Sequence, residues 1–194
     1  MNEFLFEDFQ DIFISEVKNN FVKFIDEYKD KVPYIFVVSA PDYIANNHPL
    51  SYCLGYNGNT IQEFQEGGYS FNTDNPDELY LKYYSEEWHA HSTIDNNFPK
   101  SNKRISNYII KNESYFIDDK FNYTDNFINF RNKLFQCVIT SLESLKTANY
   151  FKSKFKGSII INFHVREFYS DFEVCDIFER LNSKEDLEEF RKWM

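Results

Sequence analysis

VPYIFVVS, Val32 to Ser39, holds the strongest strand signal in the chain. From Tyr34 to Ser39 β-branched and aromatic residues follow one another with almost no polar interruption. A short, continuously apolar run bounded by proline reads as a central strand covered on both faces, not as a half-exposed strand with period-two alternation. It is also the longest clearly apolar run in the chain, and it is far too short to span a bilayer.

Working outward toward the N-terminus, Phe6, Phe9, Phe13, Val17, Phe21, Phe24 and Tyr28 recur at three- and four-residue steps with charged residues between them. That spacing predicts an amphipathic helix of about six turns with one core face. Lys31-Val32-Pro33 ends it, because proline cannot continue the hydrogen-bond ladder. On the other side Ala40-Pro41 breaks the strand. Ser51 to Tyr56 is expected as a second strand, followed by a turn at Asn57-Gly58. Thr60 with Glu63 three residues on has the form of a capping box, so a short helix is expected there, ended by Gly67-Gly68. Asn75-Pro76 is a possible helix start, but the aromatic run Leu79 to Tyr84 favours a third strand.

Thr93 to Lys103 is polar and reads as a loop, with a helical turn or two over Ile105 to Lys111. Thr124 caps the clearest helix of the chain, whose stripe Phe127, Phe130, Leu134, Val138 and Leu145 is widened by Phe135, Ile139 and Leu142. Ser158 to Val165 alternates as a strand. Phe172 to Phe178 is expected to pair with it as a hairpin, and Ser183 caps a last helix. There is no repeat and no Gly/Ser/Pro linker. The order is helix, strands, helices, strands, helix, which predicts one α+β domain over residues 1–194. Its sheet is expected to be mainly antiparallel and packed against the long N-terminal and central helices.

Composition narrows the class. Acidic residues outnumber basic ones 31 to 21, a formal net charge of −10. A nucleic-acid backbone calls for a Lys/Arg surface, so no nucleic-acid partner is expected, whereas the negative field steers the chain toward basic partners. The three cysteines, Cys53, Cys137 and Cys175, each sit beside apolar residues and form no CxxC, which suits a reducing cytoplasm. The acidic start MNEFLFEDF has no basic n-region and is not read as a signal peptide.

The only chemistry-bearing spacing is His89-x-His91, within LKYYSEEWHAHS. On a strand both imidazoles would face one side. Glu86, Glu87 or Asp95 would then be needed to complete a metal shell of three or four ligands. On a helix the two rings would diverge. The same His89, His91, Glu86 and Glu87 are the candidates for partner binding. No GxSxG, P-loop, GxGxxG or electropositive cysteine is present, so no cofactor is expected and an enzyme is the less favoured reading.

Three short motifs carry a resemblance. Asn59-Thr60-Ile61-Gln62-Glu63 matches an Asn-Thr-x-x-Glu segment. Lys82-Tyr83-Tyr84-Ser85-Glu86-Glu87-Trp88 matches loosely an Arg-Trp-Ser-Pro-x-Glu-Trp motif, with Glu87 and Trp88 identical. Leu181-Asn182 falls before the final helix. Together they resemble domain-of-unknown-function family 4303 of bacteria over nearly the whole chain. In that family's second motif Ser-Pro-x-Glu is itself a capping box. Here the cap is expected to slip to Ser85, with Trp88 as a core anchor. Some members of the family lie beside polymorphic toxin genes, so the resemblance implies an immunity protein that neutralises a cognate toxin. The alternatives are a metal-binding or hydrolytic enzyme built on His89, His91 and nearby carboxylates, and a housekeeping interaction domain.

Overall fold

A computed structural model describes residues 3–41, 54–84, 88 and 97–194. Nine α-helices and three strands are seen among the described residues. Helix α1 spans Phe6–Tyr28 and closes in a 3-10 turn over Lys29–Lys31, after which Val32 takes a left-handed conformation (φ 55°) that turns the chain into β1, Pro33–Ser39. Strand β2 (Gly55–Thr60) leads directly into α2 (Ile61–Glu66), and α3 covers Pro76–Tyr83. Helices α4 (Pro99–Lys111), α5 (Glu113–Phe116), α6 (Asp125–Thr147) and α7 (Tyr150–Lys154) follow. Strand β3 (Ile160–His164), α8 (Asp171–Leu181) and α9 (Lys184–Phe190) complete the order.

The sheet has order β2-β1-β3, so β1 is central as its composition predicts. β1 pairs with β2 antiparallel and with β3 parallel, Ile35 opposite Ile160 and Val38 opposite Phe163. The sheet is therefore mixed and not mainly antiparallel. The parallel partner arrives after a long helical crossover, which no hairpin could provide.

Both faces of β1 are buried, against two separate clusters. Phe36 and Val38, with Ile161, Phe163 and Val165, pack against α1, α4 and α6 through Phe13, Phe21, Ile105, Leu134 and Val138. Tyr34, Ile35 and Val37, with Ile160, face Phe64, Leu79, Tyr83, Phe178, Leu187 and Phe190 from α2, α3, α8 and α9. Helix α8 stands at the β3 edge and divides its apolar residues, sending Ile177 and Leu181 to the first cluster and Phe178 to the second.

Four local expectations are corrected. Leu79 to Tyr84 lies mainly in helix α3 and not in a strand. Asn75 caps it by accepting from the Asp77 N–H, Pro76 occupies the first turn, and Leu79, Lys82 and Tyr83 share the buried face at helical spacing. Phe172 to Phe178 is likewise helical. Ser170 and Glu173 form a reciprocal capping box ahead of α8, and Val174, Ile177, Phe178 and Leu181 follow a 3–4 step. Asn57-Gly58 is strand, not turn: a Cβ on Gly58 would sit 2.3 Å from the Phe24 ring, so glycine is there for close approach of sheet and helix. The predicted strand Ser51–Tyr56 overlaps β2 only at its end; Ser51 to Cys53 lie outside the described residues.

The loop expected up to Lys103 also gives way to helix from Pro99, because a distant carboxylate caps it. Glu16 of α1, 8% exposed, accepts from the Lys100 and Ser101 N–H groups at 2.8 and 3.0 Å.

Candidate protein-binding surface

The residues singled out in the sequence divide into those with a structural task and those outside the description. Ser85, Glu86, Glu87, His89 and His91 lie outside the described residues, as does Asp95. Among the described residues no group of three or more His, Cys, Asp or Glu side chains is placed to hold a metal ion. Trp88 is half-buried against the second cluster and donates its indole N–H to the Leu81 carbonyl at 2.8 Å. That carbonyl belongs to the last turn of α3, where helix carbonyls lack an internal partner.

The Asn-Thr-x-x-Glu segment is a structural joint between β2 and α2. Asn59 Oδ1 accepts from the Thr60 N–H (2.8 Å), and Thr60 Oγ1 accepts from the Glu63 N–H (3.1 Å). Glu63 does not complete a reciprocal box but pairs with Lys31 at 3.0 Å, tying the α2 start to the turn before β1.

Lys82-Tyr83 pins α3 to α9. Lys82 is 3% exposed; its ammonium donates to Glu189 Oε1 and to the Phe71 carbonyl, and lies 4.0 Å from the Phe71 ring centroid. Tyr83 donates to the same Glu189 oxygen at 2.7 Å. Burial first, and then Glu189, push its phenol upward so that it stays a donor.

Asn182 closes the outer edge of β3. Its Oδ1 accepts from the Ile161 N–H (2.9 Å) while its Nδ2 donates to the Ile161 carbonyl (2.8 Å) and the Phe178 carbonyl (3.0 Å). One carboxamide thus stands in for a neighbouring strand at the buried edge of the sheet. Asn102 of α4 does the same for Leu54, just before β2, at 2.7 and 3.0 Å.

Cys137 and Cys175 are half-buried. Burial raises the Cys137 thiol to about 11, which removes it from thiolate chemistry at neutral pH. Cys175 Sγ lies 3.4 Å from Met194 Sδ. A groove of about 580 Å³ runs between α1 and the start of α4, lined by Asp11, Ser15, Glu16, Asn20, Lys23 and Lys100. Its one deeply placed carboxylate, Glu16, is already committed to capping α4.

Among the exposed large hydrophobic residues, Tyr115, Phe121 and Tyr123 fall within nine consecutive positions. Between α5 and α6 the chain folds into a tight loop closed by an Ile117–Tyr123 bridge. Asp118 builds the loop: its Oδ1 accepts from the Lys120 and Asn122 N–H groups, each at 2.8 Å, and its Oδ2 accepts from Asn122 Nδ2 at 3.2 Å. Its backbone N–H donates to the Asn122 carbonyl and its own carbonyl accepts from the Phe121 N–H, both at 2.9 Å. Thr124, the cap of α6, ties the loop back by donating from Oγ1 to the Tyr115 carbonyl. At the tip Phe121 is 79% exposed and held at φ 63°. Tyr115, in α5, is 51% exposed, and Tyr123, 36% exposed, packs its ring on Phe127 at 4.6 Å between centroids. In the sequence Asp118-Asp119 reads only as a carboxylate pair on a solvated face; the Asp118-x-x-x-Asn122 spacing is what builds the turn.

The Asn122 backbone N–H, with the Asn122 side chain next, holds the Asp118 carboxyl below the usual carboxylate range. A depressed folded value stabilises the loop above the ordinary pKa of about 3.9, and that contribution is lost as pH falls through the depressed value. Amide resonances of Lys120 and Asn122 should therefore hold their positions from neutral pH down through 4 and move only below it. Movement centred above pH 4 would rule out the carboxylate as the frame of the loop.

These features define a helix-rich α+β domain with a mixed three-stranded sheet and, on its surface, a hydrogen-bonded loop that carries an exposed phenylalanine. The chain belongs to the family described as Domain of unknown function (DUF4303), whose model matches residues 14–183. No curated protein and no solved structure matches it. No helix among the described residues is long and apolar enough to cross a membrane.

Proposed function

We propose that the chain is a protein-binding module of the immunity type, an acidic binder that captures and neutralises a basic protein toxin. The observation that carries this reading is the loop between α5 and α6, where Phe121 stands in solvent on a frame of side-chain and backbone hydrogen bonds. Aromatic residues are the usual energetic anchors of protein interfaces, and a frame ordered before binding lowers the entropy lost on association. The net charge of −10 favours fast capture of a basic partner. The motifs shared with the family are absorbed by structural tasks: Asn59, Thr60 and Glu63 join β2 to α2, Lys82 and Tyr83 pin α9, and Asn182 closes β3. None of them requires a reaction.

The test is co-expression with the neighbouring gene, which this reading requires to encode a toxin. Growth should be rescued, and the two proteins should co-elute as a complex that weakens as salt is raised. If growth is not rescued and no complex elutes, the reading is wrong.

A further inference from the structure

We infer that Phe121 is the anchor of the interface, and that its partner is a basic protein surface with an apolar recess the size of one phenyl ring. This rests on the protein-binding reading above and assigns its contact point. Two features mark Phe121. The first is exposure: 79% of the residue faces solvent. The second is backbone: φ is 63°, a left-handed conformation that disfavours a side chain with a Cβ and a ring, and that asparagine or glycine adopts more readily. Val32 shares both, at 52% exposed and φ 55°, but its turn feeds β1 and its carbonyl accepts from the Ile61 N–H at 2.9 Å, so its backbone serves the sheet. The loop does not need the ring for its shape, because Asp118 and Asn122 make the turn with polar groups alone. A residue that neither buries apolar surface nor suits its own backbone is kept at the tip at a cost to the free protein, and filling a partner's recess offsets that cost.

Charge selects the kind of partner. Residues 111–125 carry the four carboxylates Glu113, Asp118, Asp119 and Asp125 against Lys111 and Lys120, so the loop repeats the sign of the whole chain. A basic rim around the recess would meet these carboxylates. Phe172 is as exposed, at 82%, but it lies in the first turn of α8 in ordinary helical geometry and so lacks the second feature.

Three proteins decide the matter: the parent, Phe121→Asn and Phe172→Ser, each titrated with the product of the neighbouring gene, which the binding reading requires to be a toxin, and each melted alone. Phe121→Asn should weaken binding at least tenfold, while the free variant melts at the parent temperature or about 2 °C above it, since asparagine accepts the left-handed backbone. Phe172→Ser should bind within about twofold of the parent, as expected for a residue outside the hot spot. Parental affinity in Phe121→Asn overturns the anchor while leaving the binding module intact. So does a shift of the loss to Phe172→Ser. A fall in melting temperature of more than about 3 °C in Phe121→Asn makes the residue structural and also overturns it. Failure of the parent to bind the toxin overturns both the anchor and the function it rests on.

Discussion

Phe36→Ala should lower the unfolding free energy by about 3–5 kcal/mol, the range for removing a phenyl ring from a core that cannot collapse. Phe36 lies in the central strand with no exposed surface. Its ring contacts Phe21 at 5.5 Å, Phe24 at 5.8 Å and Tyr56 at 5.0 Å between centroids. Strands on both sides hold its backbone, and α1 closes over it, so the vacated space has little means of filling. For a chain of this length the melting temperature should fall by roughly 6–20 °C. Phe36→Leu, which keeps most of the volume, should cost clearly less. The measurement is thermal and urea unfolding of the three proteins side by side. A Phe36→Ala variant within 3 °C of the parent would mean that β1 is not the centre of the core.

Asn182→Leu should cost about as much, about 3–5 kcal/mol, through a different mechanism. The substitution conserves size but strands the Ile161 N–H, the Ile161 carbonyl and one bond to the Phe178 carbonyl. Each buried backbone group left without a partner costs about 1–3 kcal/mol. Asn182→Asp should not rescue, since a carboxylate accepts from the Ile161 N–H but cannot donate to its carbonyl. Amide exchange separates this from a general loss of stability. At Ile161 exchange should accelerate beyond what the global change explains, because the β3 edge itself has opened. Uniform acceleration across the sheet would leave Asn182 as ordinary packing.

The two substitutions mark where sequence reading succeeds and where it stops. Phe36 announces itself, because a continuous apolar run has one stable home, between two covering layers. Helices α1 and α6 are equally legible, since a 3.6-residue stripe over many turns has no competing interpretation. Short segments are harder. Leu79 to Tyr84 and Phe172 to Phe178 have the aromatic content of strands, and only the caps ahead of them, Asn75-Pro76 and Ser170 with Glu173, declare helix. At these two places local capping outweighs β propensity, which reflects packing more than backbone preference.

The class of the domain, its long helices, its central strand and its acidic character are legible before folding, because they rest on periodicity and composition within single segments. That β3 runs parallel to β1 emerges only when the chain is folded. The same holds for Glu16 capping α4 from 84 and 85 residues away, for Asn182 and Asn102 closing strand edges, and for Phe121 standing in solvent at the tip of an Asp118 turn. Each of these joins groups distant along the chain, or depends on which side of a residue meets water. Neither property is written in the order of neighbouring residues.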